Sequence, residues 1–260
     1  MECKDVEWAA FLFNAMGEDW AYIRQGIKIK DNIGDPDRMV DEIFEFLNSW
    51  RSRRKPEVKT GIKNWYNENR NQLNDLPRFL VDACLDNETT ADKIKDIYRS
   101  LLGKKGNGIG DTTASKTLHM LRPDLFVPWD TPIKAWYDSQ LNREDYKKMD
   151  APEKYLVFLK KMQKEAKHLL RQNGNFLSEL NSNVQRLYQG NLEQVNNVKK
   201  TNDKSKSTKA DKKSDDNKID YDVMVDFMNT TGKTLAKYLD EYNWITITNT
   251  VKIRPEWYPD

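Results

Sequence analysis

Three glycines in five positions, Gly106, Gly108 and Gly110, separate two stretches of helical periodicity, and they constrain this chain more tightly than anything else in it. Before them Ile94, Ile97, Tyr98, Leu101 and Leu102 recur at helical spacing, and Gly103 is a natural stop. After them Ala114, Leu118 and Leu121 fall at i, i+4 and i+7, so the second helix is expected to bury one face. The glycines let the backbone take φ > 0 and approach a ligand closely. A helix starting just beyond them offers unpaired N–H groups to an anion, and Lys104 and Lys105 suit a phosphate. Taken alone, a plain helix–turn–helix hairpin explains the same glycines.

The second half of the stretch narrows the choice. Trp129-Asp-Thr-Pro-Ile133 sets one carboxylate, Asp130, where Thr131-Pro132 opens a helix. With Gly106-Asn-Gly-Ile-Gly110, this order resembles the helix-hairpin-helix DNA glycosylases, the superfamily of endonuclease III, the adenine-mismatch glycosylase and the alkyl-base glycosylases. Their hairpin reads Leu-Pro-Gly-Val-Gly, and their catalytic aspartate stands in a Val-Asp-Thr-His-Val segment. The lysine of their lyase branch, two residues past the last hairpin glycine, corresponds here to Thr112, 18 residues before Asp130. The resemblance covers about residues 75–140. It departs from the family where Leu-Pro becomes Gly106-Asn107 and where the histidine becomes Pro132.

The resemblance implies a two-lobed, mostly α-helical fold with a cleft, and a monofunctional DNA glycosylase with no lyase activity, since Thr112 forms no Schiff base. Asp130 would be the catalytic carboxylate, stabilising positive charge at C1′ of a flipped nucleotide or orienting water; a simple helix cap explains it too. Backbone N–H groups of Gly108, Gly110 and Thr113 would grip a phosphate of double-stranded DNA. The carbonyls of Lys104, Gly106 and Ile109 would hold a monovalent cation. Trp129 is the candidate wall of the base pocket, and Asn87 the wedge filling the vacated stack, although Thr89 or Thr90 capping the next helix accounts for that segment as well. Lys116, one turn past Thr112, is not promoted to nucleophile. With only Cys3 and Cys84 an iron–sulfur cluster is excluded. Damaged or mismatched bases are the default targets, with a hypermodified viral base, and so antiviral defence rather than repair, as an alternative by analogy. A non-catalytic helix-hairpin-helix DNA-binding module is the competing reading.

Elsewhere 43 basic and 41 acidic side chains nearly balance, so a nucleic-acid surface must be local. Neither a signal peptide nor a long apolar run is present, which predicts a cytoplasmic protein without membrane contact. Ile27-Lys-Ile-Lys30 alternates like a short strand or loop. Asp35-Pro36 opens a helix, residues 59–85 read as helical with a break near Asn74-Asp75, and Pro77 is expected to open a helix that buries Phe79, Leu80, Ala83, Cys84 and Leu85. Residues 152–170 and 176–188 are two more helices. His119 and His168 have no Cys or His neighbours at ligand spacing, so zinc is not expected and both should be solvated or half-buried. A helical domain of 1–198 is thus followed by a lysine-rich linker at 199–218 and a tethered α+β extension at 219–260. In that extension 220–242 is helical and 244–253 alternates like a strand, offering a surface for a protein partner or self-association. Thr231-Gly-Lys-Thr234 is not a P-loop, since Phe227 stands where the opening glycine belongs.

Overall fold

A computed structural model describes residues 1–16, 19–32, 34–52, 55–102, 108–141, 143–190 and 232–249. These are mostly helical, with no strand among them: α1 (Cys3–Ala15), α2 (Trp20–Asp31), α3 (Pro36–Leu47), α4 (Pro56–Asn74), α5 (Glu88–Leu102), α6 (Asp111–Leu121), α7 (Thr131–Gln140), α8 (Glu144–Lys148), α9 (Ala151–Gln172), α10 (Phe176–Gly190) and α11 (Leu235–Asn243). None of the described helices is long and apolar enough to cross a membrane.

Local chemistry sets the main starts. Asp35 accepts from the N–H groups of Asp37 and Arg38, and Pro36 pre-sets the first turn of α3. Asp150 and Glu153 form a reciprocal capping box on α9, again with a proline in the first turn. Each helix then buries a stripe: Met39, Val40, Ile43, Phe46 and Leu47 on α3, and Tyr155, Phe158, Leu159, Met162, Ala166 and Leu169 on α9. One apolar cluster runs through these residues and on into α11.

Helix α6 is the exception to the stripe rule. All residues from Thr113 to Met120 are buried, so the helix lies inside the molecule, against α2, α3 and α5, rather than on one side of it.

The fold corrects four expectations. Ile27–Lys30 lies in α2, where Ile29 is buried and Lys30 exposed, a split that a helix produces as readily as a strand. Residues 76–87 form turns instead of a helix. Their backbone is held by distant side chains: the Arg122 guanidinium donates to the carbonyls of Leu73, Leu76 and Pro77, and the Gln163 amide to those of Leu80 (2.6 Å) and Ala83 (2.5 Å). Cys84 is therefore exposed, although Leu80, Ala83 and Leu85 are buried. Residues 244–248 are a wide helical turn continuing α11, not a strand, and Ile245 is buried in it.

The last correction concerns the C-terminal extension. Ala236, Tyr238, Leu239 and Ile245 belong to the common core, and α11 packs on α1 and α9, so 232–249 is part of the fold rather than a tethered arm. The linker at 199–218 lies outside the described residues. Leu239 has no exposed surface, so Leu239→Ala is expected to cost about 2–5 kcal/mol in urea denaturation. An arm held outside the core would leave the midpoint unchanged.

Candidate active site

The glycine hairpin is described from Gly108 onward. Gly108 has φ 66°, the left-handed conformation that favours glycine, and a Cβ there would stand 3.2 Å from Val58 Cγ2. Ile109 inserts its side chain into the core, which fixes how the hairpin sits. Gly110 then caps α6 with extended backbone, its carbonyl accepting from Ala114 N at 2.9 Å. Gly108 and Gly110 are exposed. Thr113 is fully buried, which removes its N–H from the expected phosphate contact. Lys104, Lys105 and Gly106 lie outside the described residues, so of the three carbonyls expected around a monovalent cation only that of Ile109 is described. Among the described residues no group of three His, Cys, Asp or Glu side chains is arranged to hold a metal.

A single hydroxyl joins the hairpin helix to the aspartate segment. Ser115 Oγ accepts from the Trp129 N–H at 3.2 Å and lies 3.1 Å from the Trp129 carbonyl and 3.2 Å from that of Thr112. Residues 112 and 130, separated by 18 positions in the chain, are thereby held around one buried side chain. Asp130 follows at once. It is half-buried and caps α7, its Oδ1 accepting from Ile133 N at 3.1 Å and its carbonyl from Lys134 N at 2.8 Å. One turn on, Lys134 pairs with Asp111 in the first turn of α6, a second tie between the two helix starts. Lys116 is buried, its ammonium 4.4 Å from the centre of the Trp50 ring.

Two of the expected site residues have structural partners of their own. Trp129 has no exposed surface and packs on Tyr155 (5.5 Å, 72°) and Phe158 (5.3 Å), so it supports the aspartate from within the core and offers no face to a base. Asn87 is exposed but caps α5, with Oδ1 accepting from Thr90 N at 3.2 Å; it, not Thr89 or Thr90, is the capping residue. The start of α6 lies near the far end of α5, where Tyr98 donates to the Asp111 carbonyl (3.1 Å). At 1.5 Å per residue that leaves Asn87 about 20 Å from the hairpin end of α5.

Beneath this site lies a group that the sequence did not disclose. Asp19, Lys233, Lys237, Asp240 and Glu241 are all buried, with Lys233 Nζ 2.5 Å from Asp19 and 2.8 Å from Glu241, and Lys237 Nζ 3.1 Å from Asp240 and 3.4 Å from Glu241. The Lys237 ammonium also sits 4.2 Å from the Phe13 ring centre and 5.0 Å from those of Tyr22 and Trp50. Lys233, Lys237 and Glu241 follow at four-residue spacing, a pattern that reads as a solvated helix face, and nothing in the sequence marks it as buried. His119 completes the surroundings. It is fully buried rather than solvated, stacked on Tyr22 at 5.5 Å, and its Nδ1 lies 2.6 Å from the Phe126 carbonyl. Burial lowers its pKa to about 3, so the ring is neutral with the proton on Nδ1. Asp240 feels the site directly: burial raises its carboxyl, Lys237 and Lys116 oppose this, and the Asp130 charge adds to it.

No protein-family model, curated protein or solved structure matches the chain.

Burial raises the Glu241 carboxyl from 4.5 to about 7, Asp19 adding to the effect and the two lysines opposing it. A carboxyl raised in the folded state keeps a proton that the unfolded chain releases. Its contribution to stability is therefore present below pH 4.5 and lost as the pH rises through about 7. Urea denaturation from about pH 5 to 8 is expected to show a falling stability that Glu241→Gln flattens. Equal slopes for the two proteins would contradict this reading of the cluster.

Proposed function

We propose that the protein is a monofunctional DNA glycosylase. The observation that carries the reading is the joining of a glycine hairpin to a fixed carboxylate. Asp130, held by the α7 cap, is tied through Ser115 to the first turn of a helix that opens just after a left-handed glycine. In this reading the exposed Gly108 and Gly110 approach a DNA phosphate, and the nucleotide beside it leaves the stack. The bond between C1′ and the base nitrogen breaks with its electron pair going to the base. The Asp130 carboxylate stabilises the resulting positive charge, and water adds at C1′, losing its proton. Thr112 supplies no amine, so the strand is left intact at an abasic site. The target is a damaged, mismatched or hypermodified base in double-stranded DNA.

A second reading has one observation in its favour. Asp130 Oδ1 is already engaged by the Ile133 N–H, as expected of a cap without catalytic work, and a hairpin that only binds phosphates would look the same.

Base release from a panel of damaged, mismatched and hypermodified duplexes, read by mass spectrometry, separates the two. The glycosylase reading predicts release of at least one base, alkali-labile sites left behind, and no covalent complex trapped by borohydride. Binding to every duplex with release from none would leave the non-catalytic module, and a borohydride-trapped complex would contradict the monofunctional assignment.

A further inference from the structure

A groove of about 430 Å³ opens on the side of α7 beyond Asp130, walled by Trp136 and Tyr137 of α7, Lys161 and Glu165 of α9, and Tyr242 and Thr246 at the end of the chain's described part. That volume is in the range of small-molecule sites. Its chemistry is mixed in a specific way. Trp136 is 42 % exposed, one of two large apolar side chains left so among the described residues. Tyr137 meets it edge-to-face, 4.8 Å between centres at 81°, which orients the indole without covering it. Glu165 is mostly buried, its side chain 15 % exposed; its Oε1 pairs at 2.7 Å with Lys161, whose own side chain is 48 % exposed and can swing into solvent, and its Oε2 lies 3.9 Å from the Met1 amino group, a looser contact that leaves this oxygen room to accept. Tyr137 donates to Asn243 at 3.3 Å, and Thr246 to the Tyr242 carbonyl at 2.7 Å, so the opposite wall is held in place.

An exposed, oriented indole beside a half-sequestered carboxylate fits a planar ring that carries N–H donors on its edge: the ring stacks and the carboxylate accepts. We propose that this groove binds a nucleobase, its face on Trp136 and its ring N–H or amino donors on Glu165. The choice of a nucleobase among planar nitrogen heterocycles rests on the glycosylase reading; the groove itself does not. It is a separate site from the reacting position, because six residues of α7 put Trp136 about 9 Å along the helix from Asp130.

Ligand-observed NMR and calorimetry with adenosine, guanosine, cytidine and uridine, and ribose as the ring-free control, test the assignment. The wild-type protein is expected to bind at least one nucleoside with ribose silent. Trp136→Ala, at an exposed position that leaves the core untouched, is expected to weaken that binding at least tenfold, and Glu165→Gln severalfold. No binding by any nucleoside, or unchanged binding by Trp136→Ala, would overturn the proposal. The titration involves neither DNA nor catalysis, so its failure leaves the base-release reading standing. Conversely, Asp130→Asn is expected to bind nucleosides as the wild type does, whatever its effect on base release.

Discussion

A lysine ammonium with no exposed surface holds the two ends of the described chain together. Moving an ion of this kind out of water costs several kcal/mol even after relaxation, so Lys237 and Lys233 tolerate burial only where Asp19, Asp240 and Glu241 meet them. Two of these partners, Asp240 and Glu241, lie within α11, but Asp19 comes from the turn before α2, more than two hundred residues earlier in the chain. Sliding α11 by one turn would leave an unpaired charge in the interior. The approach to this seat is equally specific: Gly232 adopts φ 66°, a Cβ there would stand 2.9 Å from Asn181, and Lys233 N donates to the Asn181 side chain at 3.0 Å. What resembles a phosphate-loop ending in sequence is thus a docking point between α10 and α11.

The candidate site depends on this arrangement through α6. With α2, α3 and α5 packed on it, and Tyr22 and Trp50 reaching the lysine cluster from α2 and the turn after α3, α6 lies buried along most of its length. Two polar side chains of this enclosed helix find backbone partners inside the molecule. Ser115 does so on the Trp129 backbone and His119 on the Phe126 carbonyl, and the two contacts pin the segment between α6 and α7 at both ends. Asp130 emerges from that segment at the edge of the buried region. Its place is fixed by hydrogen bonds from three directions: the cap on α7, the Ser115 link, and the Asp111–Lys134 pair across the two helix starts. A carboxylate that does not reorganise suits the stabilisation of a developing positive charge.

Much of this was legible in the sequence where local chemistry decides the structure. The Asp-Pro starts, the stripes of α3 and α9, the left-handed position within the hairpin and the Asp130 cap all follow from side chains a few residues apart. The failures share one cause, partners that are distant in the chain. Phe79 to Leu85 carry a helical stripe, yet Gln163 takes the carbonyls of Leu80 and Ala83, Arg122 takes that of Pro77 just before them, and the segment is held as turns. Trp129 stands beside the candidate carboxylate, but Tyr155 and Phe158 draw it wholly into the core. Charges at helical spacing on α11 look solvated until Asp19 is seen opposite them. The 244–248 alternation of large apolar residues with threonine fits a helix equally well once Thr246 donates to the Tyr242 carbonyl.

The central claim is that Asp130 serves chemistry beyond capping α7, and it is tested most directly by measuring DNA affinity and single-turnover base release together for Asp130→Asn. Asparagine keeps an oxygen to accept from Ile133 N, so the cap and the fold are retained. The account predicts affinity within a few-fold of wild type and a release rate lower by about a hundredfold or more. Release at the wild-type rate by Asp130→Asn would contradict it and leave the residue as a helix cap alone.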